Sequence, residues 1–249
     1  MNNLHNVGVV VLAAGRGTRL KSVDTPKVMR EIGARPMLDF TVETLEKTGF
    51  KPEQTCLVIG FQKEKVMEHF GKRVTYAVQS EQKGTAHAAF TGMVALPKNL
   101  RQVLVMGGDD SAFYKPETLK NLISGHIKSK AVLTLLTAKV GFPVSLGRIV
   151  RHENGDVEII EKEYLTEEQK KLNEISTGTF VFDRDWFEKI YPTMPPMRKL
   201  GEYGLPTALA MARDQKKTYQ IITLPNPAEW YGVNTMEELV EADRRKNIV

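Results

Sequence analysis

A chain of 249 residues and 28.0 kDa can bury a full hydrophobic core without a metal or disulfide staple. Its single cysteine, Cys56, excludes a disulfide framework and fits a reducing, cytoplasmic setting. A formal charge of +5 and a pI of about 9.1 raise nucleic acid as a partner, but lysines alternate with acids (Lys63-Glu64-Lys65; Glu167-Glu168 before Lys170-Lys171) and no basic stripe carries interleaved aromatics.

Small polyanions are therefore expected as partners, and nucleic acid is not. No leader-like segment opens the chain and no run approaches the roughly 18 apolar residues of a bilayer span, so a soluble protein with no membrane partner is expected. The first element is the apolar run Val9 to Ala13, with the β-branching of a buried strand, and it leads directly into Gly15-Arg16-Gly17-Thr18-Arg19. Pro36 to Gly49 has helical spacing closed by glycine; a strand at Thr55 to Ile59, a helix at Lys63 to Phe70 and a strand at Val74 to Val78 follow. Ala86 to Leu96 is apolar nearly all round and predicts a buried helix, and Val103 to Met106 predicts a strand ending at Gly107-Gly108-Asp109-Asp110. This alternation predicts a parallel sheet with helices on both faces and a ligand at the carboxyl ends of its strands.

Beyond residue 111 a helix over Pro116 to Lys130 and the run Ala131 to Val140 precede shorter strands at Gly147 to Val150, Val157 to Glu161 and Thr177 to Phe182. A charged helix over Glu167 to Asn173, short helices at Trp186 to Tyr191 and Pro206 to Arg213, a strand at Tyr219 to Leu224 and an amphipathic helix from Met236 complete the pattern. No repeat or linker interrupts it, so residues 1–249 are expected to form one domain whose lobes meet near residue 111.

A lone G-x-G reads first as a tight turn. Neither a third glycine (Leu20 holds its place) nor a P-loop lysine follows. Arg16, Arg19 and Pro26-Lys27 shift the reading toward an anion cradle, in which glycine lets backbone N–H groups approach a phosphate and the cations surround it. Asp109-Asp110 reads first as an acidic turn after the strand; as a ligand, Asp109, nearer the strand end than Asp110, is the one placed to meet the Mg²⁺ of a nucleotide, an ion that needs only one or two protein oxygens. The amides of Gln79 and Gln82 match the imide edge of uracil or thymine, and the stretch reads equally as a polar loop before a helix capped at Thr85. His87 is expected in packing rather than at a ligand, and the five histidines show no zinc spacing.

With these residues in place, the sequence resembles the sugar-1-phosphate nucleotidyltransferases. The resemblance rests on LAAGRGTRL with Thr25-Pro26-Lys27, on Gln79 to Ala88, and on Gly108-Asp109. Further along it continues with Gly147-Arg148-Ile149, Ile160-Glu161-Lys162, Ser176-Thr177-Gly178, Glu202-Tyr203 and Gly232-Val233-Asn234, in that order. It is most similar to the pyrophosphorylase domains of bifunctional N-acetylglucosamine-1-phosphate uridylyltransferase/glucosamine-1-phosphate acetyltransferases. The sequence holds no hexapeptide repeats, so their acetyl-transferring β-helix is not expected here.

The resemblance implies a Rossmann-like, mostly parallel mixed sheet of GT-A-like architecture. It implies that Leu12, Ala13, Ala14, Gly15, Arg16, Gly17 and Thr18 bind the nucleotide, with Gln79, Gln82, Gly84 and Thr85 at the base. Arg19 and Lys27 would be catalytic, Asp109 and Asn234 would hold Mg²⁺, and Gly147, Glu161, Ser176, Thr177 and Tyr203 would face the sugar. Without the family, Asn234 reads as a helix N-cap and Glu161 as one charged residue of a strand.

The implied substrates are UTP and N-acetylglucosamine 1-phosphate, with glucose 1-phosphate or dTTP as alternatives. A nucleotide-sugar sensor without turnover is the rival class, and assembly into a homo-oligomer is left open. Three departures fall on the pattern: Asp110-Ser111-Ala112-Phe113 where the family has x-Pro-Leu, Ser176 where asparagine is common, and Gly204-Leu205-Pro206-Thr207 after Glu202-Tyr203.

Overall fold

The structure is a computed structural model that describes residues 4–20, 24–141, 146–197 and 201–247. In chain order the strands are β1 (Val7–Ala13), β2 (Glu31–Ile32), β3 (Arg35–Pro36), β4 (Thr55–Ile59), β5 (Thr75–Val78), β6 (Gln102–Gly107), β7 (Leu133–Lys139), β8 (Arg148–Arg151), β9 (Val157–Ile160), β10 (Glu174–Asp183) and β11 (Tyr219–Thr223). The α-helices are α1 (Met37–Thr48), α2 (Lys63–Phe70), α3 (Thr85–Ala95), α4 (Pro116–Ser129), α5 (Glu167–Lys170), α6 (Arg184–Ile190), α7 (Pro206–Asp214) and α8 (Met236–Asn247).

Seven strands form one sheet in the order β11-β7-β10-β6-β1-β4-β5. The β1, β4, β5 and β6 neighbours pair in parallel, as the βαβ spacing predicts, and β11 is parallel to β7. β10 is antiparallel to both β6 and β7, which makes the sheet mixed. It also places a strand from the second half of the chain beside one from the first. Two short antiparallel pairs, β2-β3 and β8-β9, stand outside this sheet.

Strand periodicity explains why β1 reads as an unbroken apolar run. Val7, Val9, Val11 and Ala13 enter one core with Leu38 and Val42 of α1, Val66 of α2 and Leu119 of α4. Val10, between them, points to the opposite core with α3, α6 and α7. Cys56 lies in that second core, and burial pushes its thiol up to about 11.

The helix over Ala86 to Leu96 is less enclosed than its composition predicts. Ala86, Ala89 and Met93 are buried, but Val94 is 47% exposed. Its inner face lies so close to the sheet that a Cβ on Gly92 would stand 2.5 Å from Val10 Cγ1. The charged stretch after Glu167 yields only the four-residue α5, started by a reciprocal capping box between Thr166 and Gln169.

Candidate active site

Parallel pairing sets the carboxyl ends of β1, β4, β5 and β6 at one edge of the sheet, with Leu12 opposite Gly107. The chain leaves β1 at Ala13, runs irregularly through Ala14 to Gly17, makes one 3₁₀ turn at Thr18–Leu20, and returns through a second turn at Lys27–Met29. Gly17 has φ +69°, in the left-handed region, and a Cβ there would stand 2.8 Å from Lys27 Cβ. The glycine is thus what lets the outgoing and returning limbs touch.

Lys27 is the centre of the site. Its Nζ donates to Asn234 Oδ1 at 2.7 Å and forms an ion pair with Asp109, and Arg19 Nη2 reaches the same Asn234 oxygen at 3.4 Å. Four residues drawn from three distant stretches therefore converge. The backbone fixes this convergence, since Val233 N–H donates to Asp109 O at 3.0 Å and so lays the Asn234 segment along the end of β6.

Asn234 is not the cap of α8. Thr235 Oγ1 accepts from Glu238 N at 3.2 Å, while Glu238 Oε2 accepts from the N–H groups of Asn234 and Thr235 at 2.6 and 2.9 Å. This capping box frees the Asn234 side chain to face Lys27.

Two cavities meet over these residues and share Leu12, Thr85 and Asp109. The first, about 260 Å³, is lined by Leu12 to Gly15, Lys27, Gln79, Gln82, Gly84 and Thr85. Val28, Ala88 and Glu202 also line it; Ala88 and Glu202 belong to the quoted motifs without an assigned role, and Val28 lies outside them.

The Gln82 amide donates to Ala14 O at 2.9 Å; that of Gln79 donates to Gly84 O at 3.2 Å and meets His87 Nδ1 at 3.0 Å. The two glutamines brace the loop walls against each other. Gly84, at φ +101°, lets Tyr203 approach, since a Cβ would meet Tyr203 O at 2.5 Å. Tyr203 N–H donates to Lys83 O and Tyr203 O accepts from Ala86 N–H, both at 2.8 Å. Arg16 turns outward over the Phe61 ring at 5.1 Å.

The second cavity, about 380 Å³, gathers Gly147, Glu161, Ser176 and Thr177 with Asp109 and Asn234. Gly147 is required there, because a Cβ would stand 2.7 Å from Ile160 O. β10 changes register between Ser176 and Phe180 around Gly178, at φ +74°, so the strand bulges at the cavity wall. Thr177 Oγ1 is committed to Leu136 O at 2.8 Å, and Ser176 Oγ accepts from Gly178 N–H at 3.2 Å; both shape the wall as much as they face it.

Burial, with the charge of Glu163 behind it, pushes the Glu161 carboxyl above its ordinary range. Asp110 lines this cavity too. Burial first and the neighbouring Asp109 charge second push it well above the usual carboxylate range, and its Oδ1 is buried without a hydrogen-bond partner among the described residues.

Of the predicted site residues, Arg16, Gly17 and Arg19 line neither cavity, and neither does Tyr203, whose ring meets Tyr191 edge-on at 6.0 Å between centroids. Trp230, which no motif marks, lines the second cavity with its indole N–H donating to Thr177 O at 3.0 Å.

The Asp109 and Asn234 oxygens already face one positive charge, the Lys27 ammonium, so the donor set suits a hard cation. No group of three or more His, Cys, Asp or Glu side chains able to hold a metal occurs among the described residues. Any such ion would rely on phosphate and water for its other ligands, the habit of Mg²⁺ at nucleotides.

Residues 8–247 match the nucleotidyl transferase family. The chain is 35% identical over 245 residues to the bifunctional protein GlmU of Symbiobacterium thermophilum, covering 97% of this chain and 51% of that protein. It is 36% identical over 231 residues to GlmU of Carboxydothermus hydrogenoformans, covering 92% and 50%. It thus spans about half the length of these curated relatives. Its backbone is similar to a crystal structure from Bacillus anthracis described as a glucose-1-phosphate thymidylyltransferase, with a TM-score of 0.80, 19% identity, and coverage of 98% and 96% of the two chains.

Proposed function

The chain belongs to the nucleotidyl transferase family, and from that premise we propose that it transfers a nucleotidyl group from a nucleoside triphosphate to a sugar 1-phosphate, releasing pyrophosphate. UTP and N-acetylglucosamine 1-phosphate are the first substrates to test. One observation carries the reading: Lys27 meets Asp109 and Asn234 at the junction of two cavities, one walled by a glycine-rich loop and the other by Glu161 and Ser176.

A sugar 1-phosphate, with a second pKa near 6, is mostly dianionic at pH 7 and is already a nucleophile. Its phosphate oxygen attacks the α-phosphorus in line, a new P–O bond forms, and the bond to pyrophosphate breaks. No serine, cysteine or histidine need be activated. The protein's task is to hold two anions together and to stabilise the charge that grows on the leaving group.

Arg19, Lys27 and the amides around Gly15 to Gly17 supply that positive field, and the Gln79 and Gln82 loop holds the base. Asp109 and Asn234 would hold Mg²⁺, which supplies further charge neutralisation at the phosphates. Glu161, Gly147 and Ser176 orient the sugar.

Pyrophosphate release from UTP, dTTP, CTP or ATP with a panel of sugar 1-phosphates tests the reading. Lys27→Ala and Arg19→Ala are expected to lower turnover by roughly 10²- to 10³-fold, the usual cost of losing one charge-stabilising donor, with the thermal transition retained. No release with any pair would overturn catalysis and favour a nucleotide-sugar sensor.

A further inference from the structure

Beside the sugar-side cavity lies a larger one, of about 480 Å³, that the proposed reaction does not use. It is bounded by β9, the turn through Tyr164 and one face of α7, where Pro206, Ala210 and Arg213 recur at helical spacing. Val157, Ile160, Tyr164, Leu209 and Ala210 make most of it apolar. Tyr164 is 45% exposed, an aromatic surface that a ligand would cover.

Ile159, Glu161, Met197 and Pro206 line this cavity and the sugar-side cavity alike, so four shared residues form the boundary between them. A second phosphate ligand does not suit the larger cavity. Among the described residues Arg213 is its sole lining cation, and that guanidinium is paired with Asp214 at 3.5 Å, while Glu158 and Glu161 are acids.

We propose that the larger cavity is a subsite for an apolar acyl substituent carried by the sugar 1-phosphate, so that the preferred acceptor bears an acyl chain longer than acetyl. This rests on the reading of the Glu161–Ser176 cavity as the sugar site. The sugar ring stays beside Gly147 and Thr177, its acyl chain passes Glu161 and Met197, and its far carbons lie against Leu209, Ala210 and Tyr164. Concave sites with apolar walls and a few polar groups are where small ligands gain affinity, and each buried methylene adds to it.

The test is calorimetric and needs no turnover: the Kd of glucosamine 1-phosphates carrying N-acetyl, N-butyryl and N-hexanoyl groups, measured on the full chain. Affinity is expected to rise about fourfold per added methylene, equivalent to about 0.8 kcal/mol, until the cavity is filled. Ala210→Phe and Thr207→Leu fill the cavity from α7, and neither residue lines the sugar-side cavity. Both variants should lose the chain-length gain while N-acetyl affinity stays within about twofold.

A flat or falling series in the wild-type protein would overturn the proposal, as would an unchanged series in both variants. Free hexanoate binding without excluding the N-acetyl sugar phosphate would also overturn it, in favour of a separate effector site. Failure of nucleotidyl transfer is read independently, as absent pyrophosphate release, while the calorimetric series still reports on the subsite.

Discussion

Gly17→Ala isolates what the glycine does from what the cations do. At φ +69° an alanine costs about 1 kcal/mol of backbone energy. Its Cβ would also stand 2.8 Å from Lys27 Cβ and 3.2 Å from Lys27 Cγ, where carbons ordinarily keep about 3.5–4.0 Å. Relief requires Lys27 to withdraw by roughly 1 Å, and its Nζ is the group that meets Asn234 at 2.7 Å.

A displacement of that size at a reacting centre is worth about 10²-fold in rate. The stability loss, about 1–2 kcal/mol, corresponds to a fall of roughly 2–8 °C in Tm for a chain of this size. Pyrophosphate release and thermal unfolding, measured on the same preparation, separate the two effects. The expected result is a roughly hundredfold loss of kcat/KM in protein that is still folded at the assay temperature. Near-normal kcat/KM, or full recovery on cooling, would refute the idea that this glycine positions Lys27.

Two further outcomes concern groups away from the chemistry. His126 is buried between Gln102 Oε1 at 2.7 Å and Thr134 Oγ1 at 2.8 Å, and burial pushes its pKa down to about 4. The folded state therefore favours the neutral ring. That stability is fully present above about pH 6.5 and is lost as pH falls toward 4, by roughly 3 kcal/mol. Denaturant midpoints across that window should show the loss in the wild-type protein and not in His126→Gln, and equal slopes would refute it. Lys246 Nζ donates to Ala112 O at 2.7 Å between the rings of Phe40 and Phe113, 4.1 and 4.4 Å from their centroids. Lys246→Met keeps the packing and removes the donor, so hydrogen exchange across residues 110–114 should quicken about fivefold for a bond worth about 1 kcal/mol. Unchanged exchange would remove Lys246 from the support of that loop.

Local periodicity made the parallel half of the sheet legible, because β1, β4 and β6 are buried on both faces and their apolar runs are unbroken. The place of β10 was not legible in the same way. Its antiparallel pairing with both β6 and β7 joins residues 35 to 81 positions apart, and no local pattern encodes which edge a strand will fill. The glycine loop, Lys27, Asp109 and Asn234 were readable as motifs, and the fold brings them into one place.

What the motifs missed are residues that act by shape. Trp230 and Met197 line cavities through their bulk and carry no spacing signature. Thr235, rather than Asn234, caps α8, although the Thr235-x-x-Glu238 spacing of a capping box is present in the sequence. The Tyr203 ring goes to Tyr191 because its backbone is already committed to Lys83 and Ala86, which sets the direction in which the side chain leaves.

The Lys27 contacts also bear on the order in which ligands arrive. Without substrate, the ammonium serves as an internal counterion for Asp109 and as a donor to Asn234. On the proposed function, a triphosphate that drew the ammonium toward itself would release both oxygens to a divalent ion, and an ion on those oxygens would release the ammonium to the triphosphate. Each ligand would thus lower the cost of the other's entry, and linkage would require the two effects on affinity to be equal. Charge exchange at a single lysine would therefore couple metal and nucleotide binding, although the two would touch different atoms.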